Sequence, residues 1–196
     1  AQKRWDSIAK PLHSLGKLET LLIQIAGITK DADIDLSKRG LIAMCADNGV
    51  VEEGVTQTGQ EVTAIVAENF LKYDTSVGVM CKQSHTEIFP VDMGMVTDTK
   101  VRTDHKVAYG TQNMTKGPAM TRDQAVKGIE GGIAMVKELK DKGYKILATG
   151  EMGIGNTTTS SAVASVLLNQ PVEEMTGRGA GLTSEGLIRK IRAIKK

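Results

Sequence analysis

The stretch Tyr144-Lys-Ile-Leu-Ala-Thr-Gly-Glu-Met-Gly-Ile-Gly-Asn-Thr-Thr-Thr159 decides how this chain folds. Its first six residues, 144–149, are an apolar run of strand length, and a glycine-rich turn follows. From Asn156 to Leu168 the pattern turns helical. Strand, tight turn, helix is the unit of a parallel α/β sheet, and ligands bind beyond the carboxyl ends of such strands. Gly150, Gly153 and Gly155 permit close backbone approach. Asn156 or one of the threonines is placed to cap the helix. The helix start, with Thr157, Thr158 and Thr159, favours an anion such as phosphate. The loop is neither common nucleotide motif, since Gly-Lys-Ser/Thr is absent and the glycine spacing does not fit Gly-x-Gly-x-x-Gly. Glu151 is a poor neighbour for phosphate, so it must face sugar hydroxyls or a cationic ring. The alternative is a glutamate that merely complements the helix dipole.

Working outward, the same unit recurs. Gly40–Ala46 reads as a buried strand ending in Asp47-Asn-Gly49, and Glu87–Val91 as a second strand ending at Asp92-Met-Gly94. Helical stripes appear at Leu15, Leu18, Leu22 and Ile25, with Gly27 as a stop, and at Val62, Ile65, Val66 and Phe70. A third stripe runs through Ala125, Ile129, Ile133, Val136 and Leu139, and Gly143 ends it. A short strand is possible at Lys106–Tyr109. Residues 184–196 read as a last helix. The expected fold is a mostly parallel sheet flanked by helices, Rossmann-like and three-layered. Residues 1–30 form a helical segment of a small domain, and residues 31–196 an incomplete nucleotide-binding domain.

Composition narrows the function. The 196 residues carry a formal net charge of +2 and 3% aromatics, which argues against nucleic acid as a partner. No apolar run is long enough to cross a bilayer, and the first residues lack a signal peptide's apolar stretch. Cys45 and Cys81 lack a Cys-x-x-Cys partner and read as reduced, buried thiols of a cytoplasmic protein. His13, His85 and His105 are scattered, so no metal site is expected, and no cofactor.

Two further clusters carry chemistry. Thr176-Gly-Arg-Gly-Ala-Gly-Leu182 precedes a helix bearing Arg189 and Lys190, and a backbone cradle plus a lysine suits a second phosphate contact. Cys45–Thr63 is strand, loop and helix. Asp47 there is either catalytic or a turn-bonding carboxylate, and the second is favoured. Thr58, Gln60 and Val66 are placed to line a mixed apolar pocket.

Taken together, these stretches resemble the nicotinate-nucleotide:dimethylbenzimidazole phosphoribosyltransferase family. Lys10–Thr20, Cys45–Thr63, Gly117-Pro-Ala-Met120, Gly150–Thr159 and Gly177–Lys190 carry the match, in order. The resemblance implies transfer of phosphoribose from nicotinate mononucleotide to an aromatic base such as 5,6-dimethylbenzimidazole. Nicotinate leaves, and α-ribazole phosphate, the cobamide lower-ligand precursor, forms. It implies that Glu151 supports charge on the ribosyl group. Gly150, Gly153, Gly155, Asn156, Thr157, Thr158, Gly177 and Gly179 would hold ribose and phosphate, with Lys190 on the phosphate. Thr58, Val66 and Met152 would form the base pocket. Val66 stands where some members carry glutamine, which leaves another benzimidazole or a phenol open as acceptor. A homodimer is implied for the full-length protein. The family's general base, a glutamate in a Gly-Glu-Gly-type motif beyond Lys190, has no counterpart here. The expectation is therefore a truncated chain that has lost catalysis. The other readings are a binding or regulatory half-enzyme and an unrelated nucleotide-dependent α/β protein such as a dehydrogenase.

Overall fold

The computed structural model describes residues 1–196. Contacts divide the chain into two compact units, Ala1–Lys38 and Arg39–Lys196. The first holds α1 (Gln2–Asp6) and α2 (Lys17–Thr29). Helix α2 runs through Gly27 and ends at Lys30, whose φ of 57° is left-handed; glycine was not needed as the stop. Within this unit Glu19 is buried against Lys10 at 2.7 Å and accepts the Leu15 N–H at 3.2 Å.

The second unit runs β1 (Arg39–Ala46), a 3-10 turn (Gly49–Glu53), α3 (Glu61–Lys72), α4 (Ser76–Gln83), β2 (Thr86–Gly94), α5 (Arg122–Asp141), β3 (Ile146–Met152), α6 (Asn156–Leu168), α7 (Val172–Met175) and α8 (Ser184–Lys195). The three strands form one parallel sheet in the order β2-β1-β3. Helices α3 and α4 pack on one face, where Ala67, Phe70 and Cys81 meet Ala43, Cys45 and Ile88. Helix α5 covers the other face with Met135 and Leu139 against Ile42 and Val91. This is the three-layer arrangement expected. Burying each of these large side chains contributes roughly 1.5–3 kcal/mol.

Chain direction makes the site. From β1 the chain crosses one face to β2; from β2 it crosses the other face to β3. The switch therefore falls between β1 and β3, where an α/β sheet opens a crevice beyond its carboxyl ends. Register aligns those ends, Cys45 lying beside Met152 and Asp92.

Three expectations need correction. No strand forms at Lys106–Tyr109. That segment runs beside β2 through isolated bonds, Val107 N–H to Met93 O at 2.9 Å and Gly110 N–H to Gly94 O at 3.0 Å, while Lys106 turns inward to Asp92 at 3.1 Å. Strand β3 continues two residues beyond Gly150, so Glu151 and Met152 lie in the sheet. The apolar stripe expected to seat α5 is largely outside the core: Ile129 is 66% and Ile133 64% exposed, and the helix seats itself through Gly131, Met135 and Leu139.

Candidate functional site

The turn after β3 runs from Gly153 to Gly155. Gly155, with φ 90°, occupies the N-cap position of α6, and no side chain caps the helix. Asn156 is the first helical residue instead. Its Oδ1 accepts the Thr157 N–H at 2.6 Å, and its Nδ2 donates to Glu151. The expected cap by Asn156 or a threonine does not form, because this local exchange uses the amide. Gly153 has a steric reason to be glycine: a Cβ there would lie 2.2 Å from the Ala46 carbonyl oxygen.

A cavity of about 310 Å³ opens at this turn, at the switch between β1 and β3. Three segments wall it. Met152, Gly153, Ile154, Gly155, Asn156 and Thr157 form one side, Val55–Thr58 a second, and Arg178–Ala180 with Leu182 the third. Thr58, Met152, Gly153, Gly155, Asn156, Thr157 and Gly179 are thus brought together from sequence positions up to 121 residues apart.

Lys190 lies beneath this wall at 1% exposure. Its Nζ donates to Thr157 Oγ1 at 2.7 Å and to the Gly177 carbonyl at 3.1 Å. Both partners are uncharged, and burial pushes the ammonium below its ordinary 10.5. A buried cation beside a glycine turn and a hydroxyl, with no charged partner, can take an anion as its counter-charge. Glu151 shows the reverse. Burial of its carboxyl raises its pKa above the ordinary 4.5, and the Asn156 donation offsets this only in part.

Six predicted residues, Gly150, Glu151, Thr158, Gly177, Lys190 and Val66, do not border this cavity. Gly150 faces Leu41 and Ala43 inside the sheet and borders an apolar groove with Ile129, Ile133 and Val136. Val66 packs on α3 against the core that Met152 also joins, outside the cavity wall. Thr158 is fully buried in the first turn of α6 behind Thr157. Asp47 is fully buried; its Oδ2 accepts the Val96 N–H at 2.8 Å, a backbone-bonding role. Gln60 Nε2 donates to the Asn48 carbonyl at 3.1 Å.

Sequence reasoning missed Gln57 and Arg178. Gln57 Nε2 reaches Gly181 O at 2.6 Å and ties two walls together. Arg178 borders the cavity while its guanidinium donates to Leu182 O at 2.8 Å and to Ser184 Oγ at 3.2 Å. An arginine between two glycines was the available signal. A larger cavity of about 440 Å³ lies beyond β2, lined by Met93, Tyr109, Ala119, Met120 and Gln124. Its Gln124 is occupied in the α5 capping box, and Thr111 accepts the Gly49 N–H. Cys45 and Cys81 are buried and unpaired, and burial pushes the Cys45 thiol up to about 12. No cluster of three or more His, Cys, Asp or Glu side chains is placed to hold a metal ion. No helix is long and apolar enough to cross a membrane.

Fold and site together define an α/β protein with a glycine-walled crevice at the sheet's switch point and a buried lysine beneath its wall. A family model described as phosphoribosyltransferase (DBI_PRT) matches residues 1–196, and the chain belongs to that family. It is 52% identical over 197 residues to the nicotinate-nucleotide–dimethylbenzimidazole phosphoribosyltransferase of Ruminiclostridium cellulolyticum, covering all of this chain and 56% of that one. It is 48% identical to the protein of the same name from Clostridium tetani, with 55% of that relative covered. The crystal structure of CobT from Thermus thermophilus superposes with a TM-score of 0.91 at 34% identity, over 98% of this chain and 59% of that one. The chain spans a little over half the length of the relatives it matches.

Proposed function

We propose that the chain carries the nucleotide site of an enzyme that moves phosphoribose from nicotinate mononucleotide to 5,6-dimethylbenzimidazole or a related aromatic base. The observation that carries this reading is the buried Lys190 ammonium, wedged between Thr157 and Gly177 without a counter-charge. The phosphate group supplies that charge at the wall formed by Gly153, Gly155, Asn156, Thr157 and Gly179. Ribose lies toward Glu151, the base toward Thr58 and Met152.

The chemistry follows from these positions. A nitrogen of the acceptor attacks the anomeric carbon from the face opposite nicotinate. The bond from that carbon to the pyridinium nitrogen breaks, and its electron pair neutralises the ring. The centre inverts from β to α, and the acceptor releases a proton. Positive charge on the ribose peaks midway, and a fixed carboxylate such as Glu151 lowers its energy. The proton acceptor is a glutamate outside these 196 residues, as the sequence resemblance implies, so the chain by itself binds nucleotide without turnover. A homodimer and a cytoplasmic location belong to the same reading.

Calorimetric titration of the chain with nicotinate mononucleotide tests the site. Saturable binding that Lys190→Met weakens is expected; absence of binding by the wild-type chain overturns the proposal. Incubation with nicotinate mononucleotide and dimethylbenzimidazole is expected to give no α-ribazole phosphate. Turnover at a normal rate would place the proton acceptor within this chain.

A further inference from the structure

The turn between β3 and α6 is held by residues outside it. Ile154 sits at its apex. The Ile154 N–H donates to Thr63 Oγ1 at 3.0 Å, and the Ile154 carbonyl accepts from Asn48 Nδ2 at 3.1 Å. Thr63 is fully buried on α3, and Asn48 lies just past the end of β1. Asn48 is itself fixed. Its Oδ1 accepts from Thr159 Oγ1 at 3.2 Å, which sets its amide nitrogen toward Ile154, and its backbone carbonyl accepts from Gln60 Nε2.

Packing reinforces the bonds. A Cβ on Gly153 would sit 3.0 Å from Asn48 Nδ2, and one on Gly155 would sit 3.2 Å from Asn48 Cβ. Both glycines let the turn lie flat on Asn48. A free glycine turn would sample many shapes, and only a few would aim the Gly153–Thr157 wall at a phosphate. The two outside anchors remove that freedom before ligand arrives. Neither Asn48 nor Thr63 borders the cavity.

We infer that Asn48 and Thr63 are positioning residues of the nucleotide site, which orient the Ile154 peptide and through it the phosphate-facing wall. The inference rests on the proposed reading of the cavity. It assigns a binding role to two side chains that touch no ligand.

Thr63→Val keeps the shape and removes the acceptor for the Ile154 N–H; Thr63→Ser restores it. Asn48→Asp sets a carboxylate oxygen against the Ile154 carbonyl. In the 196-residue chain, two readouts are taken: hydrogen exchange at the Ile154 amide and affinity for nicotinate mononucleotide. Thr63→Val is expected to expose the amide and weaken binding by about 10–100-fold, and Thr63→Ser to restore both. Asn48→Asp is expected to weaken binding to a similar extent. Circular dichroism controls for folding, and if Asn48→Asp does not fold, the Val and Ser pair decides alone. Faster exchange at Ile154 with affinity within about twofold of wild type overturns the inference and leaves the proposed function standing. Failure of the wild-type chain to bind either nicotinate mononucleotide or inorganic phosphate removes the proposed function and this inference with it.

Discussion

Burial disfavours the charged form of both Lys190 and Glu151, and both make testable demands. The Lys190 ammonium lies below its ordinary pKa of 10.5, so burial works against the charged form. At neutral pH this penalises the ligand-free fold, and the penalty is relieved as pH rises through the lowered value. An anion reverses the balance by favouring the charged form. Lys190→Met is therefore expected to weaken nicotinate mononucleotide binding by about 10–100-fold, the value of a charged hydrogen bond. Its unfolding free energy in urea should change by no more than about 1 kcal/mol, since an apolar side chain avoids burying a charge. Loss of both would make Lys190 a scaffold residue. For Glu151 the sign differs. Its folded pKa is raised by burial, so in the empty site the anion forms at a higher pH than for an ordinary glutamate at 4.5. A cationic pyridinium ring prefers the anion, so affinity should climb as pH rises above 4.5 and level off once the carboxyl has ionised. Titrations of wild type and Glu151→Gln across pH 4–8 check this, because the ligand phosphate titrates alike in both. Coincident profiles would remove Glu151 from the ring's surroundings. Part of the cavity's lining was legible in sequence: Gly153, Gly155, Gly179, Thr157 and Thr58 sit in local patterns, as does Lys190, which bonds Thr157. Asn48, Thr63, Gln57 and Arg178 were not, because their roles depend on contacts that periodicity cannot register. Ile154 lies 91 residues from Thr63 and 106 from Asn48.

At the scale of elements, strands and long helices were readable because their patterns are local. Strands β1 and β2 and helices α6 and α8 fall where periodicity puts them. Helix α4 was missed, since Ser76-Val-Gly-Val-Met80 lacks a clean apolar stripe and is started by the Thr75 side chain accepting the Gly78 N–H at 2.9 Å. The segment between β2 and α5 was misread as part strand because isolated backbone bonds and ion pairs, rather than a ladder, hold it. Arg102 bonds Glu138 of α5 at 2.6 Å and also pairs with Asp104. Hydrogen bonds from Arg102 and Lys142 hold the Glu138 carboxyl at about 2. A folded value below the unfolded 4.5 contributes stability that is present above 4.5 and lost as pH falls toward 2. Glu138→Gln should therefore flatten the acid limb of the urea midpoint between those values and leave the neutral-pH cavity untouched. An unchanged acid limb would show that Glu138 does not couple this segment to α5.

The distribution of apolar surface over the Arg39–Lys196 unit carries the last prediction. Helix α5 has two apolar stripes, and only one is packed into the core. The other, through Ile129, Ile133 and Val136, joins Ile42, Met44 and Thr149 in an open apolar groove of about 480 Å³ beside β3. Strand β3 is an edge of the sheet. On α6, Val166 and Leu167 are 80% and 78% exposed. Open apolar grooves next to an unpaired strand edge promote association, since both backbone and side chains seek partners. The chain is expected to bind the dye ANS and to self-associate with rising concentration in light scattering. Ile129→Lys combined with Ile133→Lys should reduce both. Because the two side chains are exposed, the pair should cost less than about 1 kcal/mol of stability. A cost of roughly 3 kcal/mol or more would mean that these isoleucines are packed inside the fold. The same stripe explains why periodicity misjudged α5. An apolar face reports that something covers it, and a helix with two such faces does not say which one packs into the core.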